Sequence, residues 1–247
     1  MITQGLSFFQ KPNTKKCGVS TIITDKYKMK NLKRVLVVFL AVGSLLSIST
    51  NSLAQFSSNF QGARSVGKGN AEMTAFYSNV GVAYDGESNK IFNNFGFQSG
   101  LGLSNLTELR VRYDRFNFNE GKGDGINGLT IGPKFSSESG KFAFYLPVGF
   151  NFGDGADKNW MTDPTLIFSL PLGEKVTLNL SPSYMISLEE GSGIDDGLLK
   201  LNFGFGINFG DGWVIRPEGG LHYFVSDFDG NYYNFGLGIS RKLIKKG

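Results

Sequence analysis

Charged residues recur at every second position of several apolar stretches, and these residues are the candidates for a binding or catalytic role. Four of them fall in a single stretch, Thr107–Phe118. Charges of both signs in such rows could line a selective channel, or they could pair with one another and fill a narrow interior. We favour internal pairing, because a small barrel leaves little free space. With the single histidine, the candidate set is Glu108, Arg110, Arg112, Asp114, Lys134, Lys200, Arg216, Glu218 and His222.

The charges at 107–118 and at 213–225 lie far apart in sequence, so their strands are not expected to be neighbours. We expect opposite charges from the two stretches to pair directly across the interior, since an unpaired charge there is costly.

His222 is the only histidine, and it could act as a general base in a hydrolase. That chemistry needs a positioned Ser or Asp partner, which no motif supplies. We therefore expect a hydrogen-bonding role for His222 and predict no catalytic residue. The acidic stretches match no calcium-loop spacing, and the Gly-rich strings lack the context of a phosphate loop, so neither a metal site nor a cofactor is predicted.

The element that would position these side chains is a long strand with two unlike faces, and residues 141–153 are its clearest example. Every even position from 142 to 152 is apolar, and the odd positions are mostly polar or small. Period two over about 9–11 residues is the pattern with which a strand crosses a bilayer. Pro147 has no amide donor, so we expect a bulge or bend there.

Nine further stretches alternate in the same way, which predicts about ten strands. In one of them the apolar phase changes to Phe116 and Phe118, which predicts a bulge near Asp114-Arg115. Short and long connections alternate, as turns and loops do at the two ends of a membrane barrel. The fold class is therefore all-β, a single antiparallel up-and-down transmembrane β-barrel. The predicted strands are 73–85, 91–103, 107–118, 127–135, 141–153, 161–172, 176–188, 199–209, 213–225 and 232–243.

The residues before the strands divide into three parts. Residues 30–54 have the basic start, apolar core and small-residue cleavage site of a secretory signal peptide, with cleavage after Ala54. Residues 1–29 are expected to be an over-extended start or a disordered tail. Residues 55–71 form a polar arm, either flexible or folded into the lumen, and residues 72–247 form the barrel.

The excess of basic over acidic residues in the chain lies within its first 54 residues. They hold eight Lys and Arg and one acidic residue, so the remainder has a net charge of (25 − 8) − (21 − 1) = −3. This balance implies no nucleic-acid partner. The single cysteine, Cys17, also lies there, so the barrel region has no disulfide.

The leader, the alternating strands, the glycine-rich inner faces and the aromatic strand ends resemble the small outer-membrane β-barrel proteins of Gram-negative bacteria. The resemblance covers about residues 72–243, and it is architectural, without a family motif. It implies location in the bacterial outer membrane, contact with outer-membrane lipid and lipopolysaccharide, and recognition by the barrel assembly machinery. The last strand resembles the assembly signal at Asn234, Gly236 and Ile239, and departs from it at Arg241.

Three functions stay open at this point. The favoured one is a structural, adhesive or passive, porin-like small-solute transport role with a largely plugged lumen, and no enzymatic activity. The second is an outer-membrane hydrolase, lipid A-modifying or protease-like, that uses His222. The third is an exported soluble β-barrel that binds a small apolar ligand, which would require a polar exterior and an apolar interior.

Overall fold

The computed structural model describes residues 58–84, 86–118, 125–153, 160–189, 196–225 and 230–244, and its regular structure is antiparallel β-sheet. No helix in these ranges is long and apolar enough to cross a membrane. The leader and the long connections fall outside these ranges. The strand segments are β1 (Ala71–Tyr84), β2 (Glu87–Gly102), β3 (Thr107–Phe118), β4 (Ile126–Ser136), β5 (Phe142–Tyr145), β6 (Val148–Phe152), β7 (Trp160–Thr162), β8 (Thr165–Pro171), β9 (Val176–Ser187), β10 (Leu198–Gly210), β11 (Trp213–Phe224) and β12 (Gly230–Leu243).

Two pairs of segments are halves of single barrel strands, β5 with β6 and β7 with β8. Both halves of the first pair lie against β4, and both halves of the second lie against β9. The breaks fall at Pro147 and Pro164, because proline supplies no amide to the ladder. The sheet is thus interrupted at Pro147, where a bulge or bend was predicted, but the register against β4 is the same on both sides, so there is no bulge. The predicted count of ten strands is confirmed.

The sheet closes on itself through antiparallel pairing of its first and last strands. The register of β1 against β12 runs from Ala71↔Leu243 to Tyr84↔Gly230. Each remaining barrel strand pairs with its neighbours in the chain. Closure leaves no free edge, which a strand protein needs in order to span hydrocarbon.

The two ends of the barrel differ in their connections, as predicted. Short links at 103–106, 137–141, 172–175 and 211–212 lie at the end where β1 begins and β12 ends, which we call the turn end. At the tightest of them, Asp211 and Gly212 have φ values of 47° and 78°, as a two-residue hairpin requires. The opposite end, where three of the five links are longer than any of these, is the loop end.

The outer surface of the barrel is apolar, and its polar and charged side chains face inward. Phe97, Phe203 and Phe235 are between 54% and 65% exposed, whereas Lys134 and His222 are at most 1% exposed. This is the reverse of a soluble barrel, so the hypothesis of an exported soluble barrel is wrong. A closed barrel with this exterior is suited to lipid, as a transmembrane β-barrel requires.

The bulge predicted near Asp114-Arg115 is wrong. The register of β2 against β3 runs without a shift from Phe92↔Phe118 to Gly102↔Glu108. Phe116 is 1% exposed and packs edge-on against Phe92 inside the barrel, with the ring centroids 5.5 Å apart. The apolar phase changes because the interior itself becomes apolar toward the loop end.

Six buried side chains form this apolar interior, which we call the apolar layer. They come from β1, β2, β3, β7, β9 and β10 and so reach around the wall. Partly buried aromatic and aliphatic residues from the adjoining strands pack against them. The members are Val80, Phe92, Phe116, Met161, Met185 and Leu198.

Candidate functional site in the barrel lumen

Residues 58–70, which we call the inserted segment, run from the buried interior of the barrel at Ser58 to the turn end, where Gly69 and Asn70 bond to Gly102. The hydroxyl of Ser58 donates to Oδ1 of Asn234 over 2.9 Å, and the amide of Ala63 donates to Oγ of Ser169 over 2.8 Å. Ser58 and Ala63 are fully buried. Their partners belong to β12 and β8, so the segment crosses the interior between separate parts of the wall.

Phe60 anchors this segment on a pair of glycines in β12. A Cβ atom on Gly236 would lie 2.6 Å from Cζ of Phe60, and one on Gly238 would lie 3.0 Å from its Cδ1. The ring also stacks on Phe76, with centroids 5.1 Å apart. Phe60 has a positive φ of 49°, a conformation that non-glycine residues rarely adopt. The alternating glycines therefore provide the space in which the aromatic ring is held.

Charged residues of the wall hold the backbone of the inserted segment. The carboxylate of Glu218 accepts the amides of Asn59 and Phe60, the second at 2.8 Å. Nη1 of Arg112 donates to the carbonyl of Ser58 over 2.7 Å. A negative group thus accepts the amides of the segment, and a positive group donates to its carbonyl, as charge-assisted hydrogen bonds require.

The same pattern continues toward the turn end. Nζ of Lys134 donates to the carbonyls of Gly62 and Arg64, at 3.0 and 3.3 Å. Oε1 of Glu108 accepts the amide of Val66 at 2.6 Å. The charged residues predicted from the sequence therefore contact the inserted segment as well as one another.

Five buried residues form one connected ion network, which we call the basal network. Glu72 lies 3.4 Å from Nη2 of Arg110 and 3.0 Å from Nη2 of Arg216. Glu108 lies 2.9 Å from Arg110 and 3.1 Å from Lys134. Sharing partners in this way offsets the desolvation of each charge.

Glu72 changes the pairing that the sequence predicted. The charges of β3 and β11 were expected to pair directly across the lumen, but Glu72 of β1 lies between Arg110 and Arg216 and binds both. The alternating pattern did not single out Glu72, because it lies at the very start of its strand. Its signal is its phase, since Glu72 shares the inward face of β1 with Thr74 and Phe76.

A second group of charges lies nearer the middle of the barrel. Nε and Nη2 of Arg112 contact the two carboxylate oxygens of Asp114 at 2.8 and 2.7 Å, a bidentate arrangement. Asn94 donates to Oδ1 of the same carboxylate over 2.7 Å. Lys200 pairs with Asp163 at 2.5 Å. Asp163 was also missed by sequence analysis, because it falls in the break between β7 and β8.

His222 lies in a buried amide network. Its Nε2 is 2.7 Å from Nδ2 of Asn234, which also donates to Oδ1 of Asn202 over 2.9 Å. The ring is fully buried. Within the described ranges, no group of three or more His, Cys, Asp or Glu side chains could hold a metal ion.

Comparisons with known proteins give a fold likeness only. No protein-family model and no curated protein matches the chain. The translocator domain of the autotransporter NalP from Neisseria meningitidis is 11% identical, with a TM-score of 0.41, covering 90% of this chain and 97% of that one. An outer-membrane channel from Pseudomonas putida F1 is 12% identical, with a TM-score of 0.41, over 73% and 98% of the two chains. The attachment invasion locus protein of Yersinia pestis is 12% identical, with a TM-score of 0.34, over 71% and 99%. Likenesses this distant assign no activity to this chain.

Proposed function

We propose that the protein is a non-conducting barrel of the outer membrane with a structural role, its lumen closed by its own residues. The observation that carries this proposal is the inserted segment, whose backbone is hydrogen-bonded to buried charges of β3, β4 and β11. Opening the lumen at this level would strip those charges of their partners, which is costly in a dehydrated interior.

The apolar layer supports the same proposal from the other end of the barrel. Its six members are each at most 3% exposed, so they pack against one another with little contact to solvent. Ions cross a constriction lined by such side chains poorly, because it does not hold water. The two closures lie in series along one axis, and a solute would have to pass both.

The alternative functions receive less support. Passive transport would require displacement of the inserted segment from at least four strands. Hydrolysis by His222 would require access to a fully buried ring whose Nε2 lies against the amide of Asn234.

Planar-bilayer recording of the purified protein tests the proposal. We expect no steady conductance from the folded barrel, because both closures are in place. Folding is checked beforehand by the mobility difference between unheated and boiled samples in a detergent gel. A general porin, inserted in the same bilayers, serves as the positive control. Steady conductance of this protein on the porin scale would show that the lumen is open.

A further inference from the structure

A cavity of about 360 Å³ lies at the turn end, beside the inserted segment. Its rim is formed by the turns at 137–141 and 172–175, and its base by side chains of β9, β10 and β11. This volume lies within the range of about 300–1,000 Å³ that is typical of small-molecule sites. Neither the inserted segment nor the apolar layer fills this cavity.

The lining of this cavity is strongly basic. It contains five basic and two acidic side chains, a net charge of 5 − 2 = +3. One of the acids, Glu72, is already bound by two arginines of the basal network. Four of the basic residues lie within ion-pair distance of no carboxylate in the described parts of the chain, so their charge is available to a ligand. These four are Arg64, Lys141, Lys175 and Lys242.

The base of the cavity presents two fixed nitrogen donors to one point. Nη1 of Arg216 and Nδ2 of Asn179 lie 3.5 and 3.6 Å from the position that a Cβ on Gly206 would take. Arg216 is held by its bonds to Ser240, at 2.8 Å, and to Glu72, at 3.0 Å. Cγ1 of Val214 lies 3.7 Å from the same position, so an anionic oxygen placed there would contact two nitrogen donors and one methyl group.

Arg64 of the inserted segment adds a positive charge at the rim of the cavity. Arg64 packs over Gly140, where an added Cβ would lie 2.8 Å from Nε of Arg64, and Gly140 has a positive φ of 66°. The backbone of Arg64 is fixed by Lys134, which donates to its carbonyl over 3.3 Å. The cavity therefore requires the seated segment for one of its walls, and it faces the compartment at the turn end.

We propose that this cavity binds a small phosphate-bearing solute with about three negative charges, the number that would balance its lining. The inward donors would hold one phosphate group at the Gly206 position, and the lysines of the rim would hold the rest. The barrel wall separates the cavity from lipid, so a free solute suits it better than a lipid headgroup. This site does not depend on whether the lumen conducts.

Calorimetric titration of the full-length, detergent-purified protein with pyrophosphate tests the proposal. We expect saturable binding of one pyrophosphate per barrel. The double variant Lys141→Glu/Lys175→Glu should weaken it by at least about tenfold, because two rim cations become anions. Both residues are exposed in short turns, so the variant should keep the gel mobility of the folded barrel.

The matched control is Lys90→Glu, which changes an exposed lysine at the loop end and should leave binding unchanged. Short-chain phosphatidic acid, titrated in the same way, tests a lipid source. Tighter binding of that lipid than of pyrophosphate would overturn the assignment to a free solute. Absence of saturable pyrophosphate binding, or equal binding by the double variant and the parent, would overturn the site.

Discussion

The two halves of the lumen are both filled, but with opposite kinds of side chain. At the loop end the strands supply their own apolar layer, whose members are all uncharged. At the turn end the strands supply charges, and the inserted segment supplies most of the backbone groups that those charges bind. Apolar side chains can close a space by packing alone, whereas buried charges need specific partners. The turn-end half should therefore be the more sensitive to loss of a single partner.

The largest effect should come from opening both halves together. One variant replaces residues 58–66 by Gly and Ser, a second carries Phe92→Ala and Phe116→Ala, and a third combines them. Because the closures lie in series, we expect the first two to stay silent in planar bilayers and the third to conduct. Folding of each variant is checked by gel mobility.

The first variant also tests whether the apolar layer closes the lumen without the inserted segment. Porin-scale current from it alone would show that the apolar layer is no barrier and that the inserted segment is the sole closure. Silence of the combined variant, in a barrel that is folded by gel mobility, would show that residues other than these close the lumen.

Most of the barrel wall could be predicted from sequence, because period two is a local property of each strand. The exposed phenylalanines of β10 and β12 follow from it directly. The break at Pro147 follows from the missing amide donor of proline. The error at Asp114-Arg115 came from assuming that the inward face is polar along its whole length. The interior changes character toward the loop end, so Phe116 continues the inward phase without a bulge.

The site was less predictable, because its contacts join residues far apart in the chain. The candidate charges were selected by phase alone, and the structure places all of them inside and buried. The residues of the inserted segment that they bind have no such periodic signal. The inserted segment is irregular, so nothing in its sequence shows that Phe60 would lie on Gly236 or that Ser58 would reach Asn234. Glu72 was not predicted either, because it lies at the start of β1 and alternation defines the ends of a strand poorly.

Loss of Glu72 should be the most destabilising single change at the turn end. Glu72→Ala leaves Arg110 and Arg216 buried without their shared carboxylate, and breaking a buried pair costs about 3–5 kcal/mol. The measurement is the urea concentration at which the folded band disappears from unheated gels. Glu87→Ala, at an exposed carboxylate of β2, is the matched control and should change little. A loss no greater than that of the control would mean that the basal network does not stabilise the barrel.

A somewhat smaller effect is expected from the apolar layer. Met185 is fully buried there, and Met185→Ala would leave a cavity that costs about 2–5 kcal/mol, since the strands around it can close it only in part. Met185→Leu is the matched control and should cost less than about 1.5 kcal/mol, because it keeps the volume and the apolar character. The same urea series measures both.

The two Met185 variants show whether side-chain packing, and not ion pairing, stabilises the loop-end half of the lumen. If this half is held by packing, the loss should follow the removed volume, and the barrel should stay silent in bilayers because the cavity stays dry. If Met185→Ala were as stable as Met185→Leu, the layer would be loosely packed, and the distinction between the two halves of the lumen would fail. A Glu72→Ala barrel that loses less stability than Met185→Ala would reverse the order of the two halves.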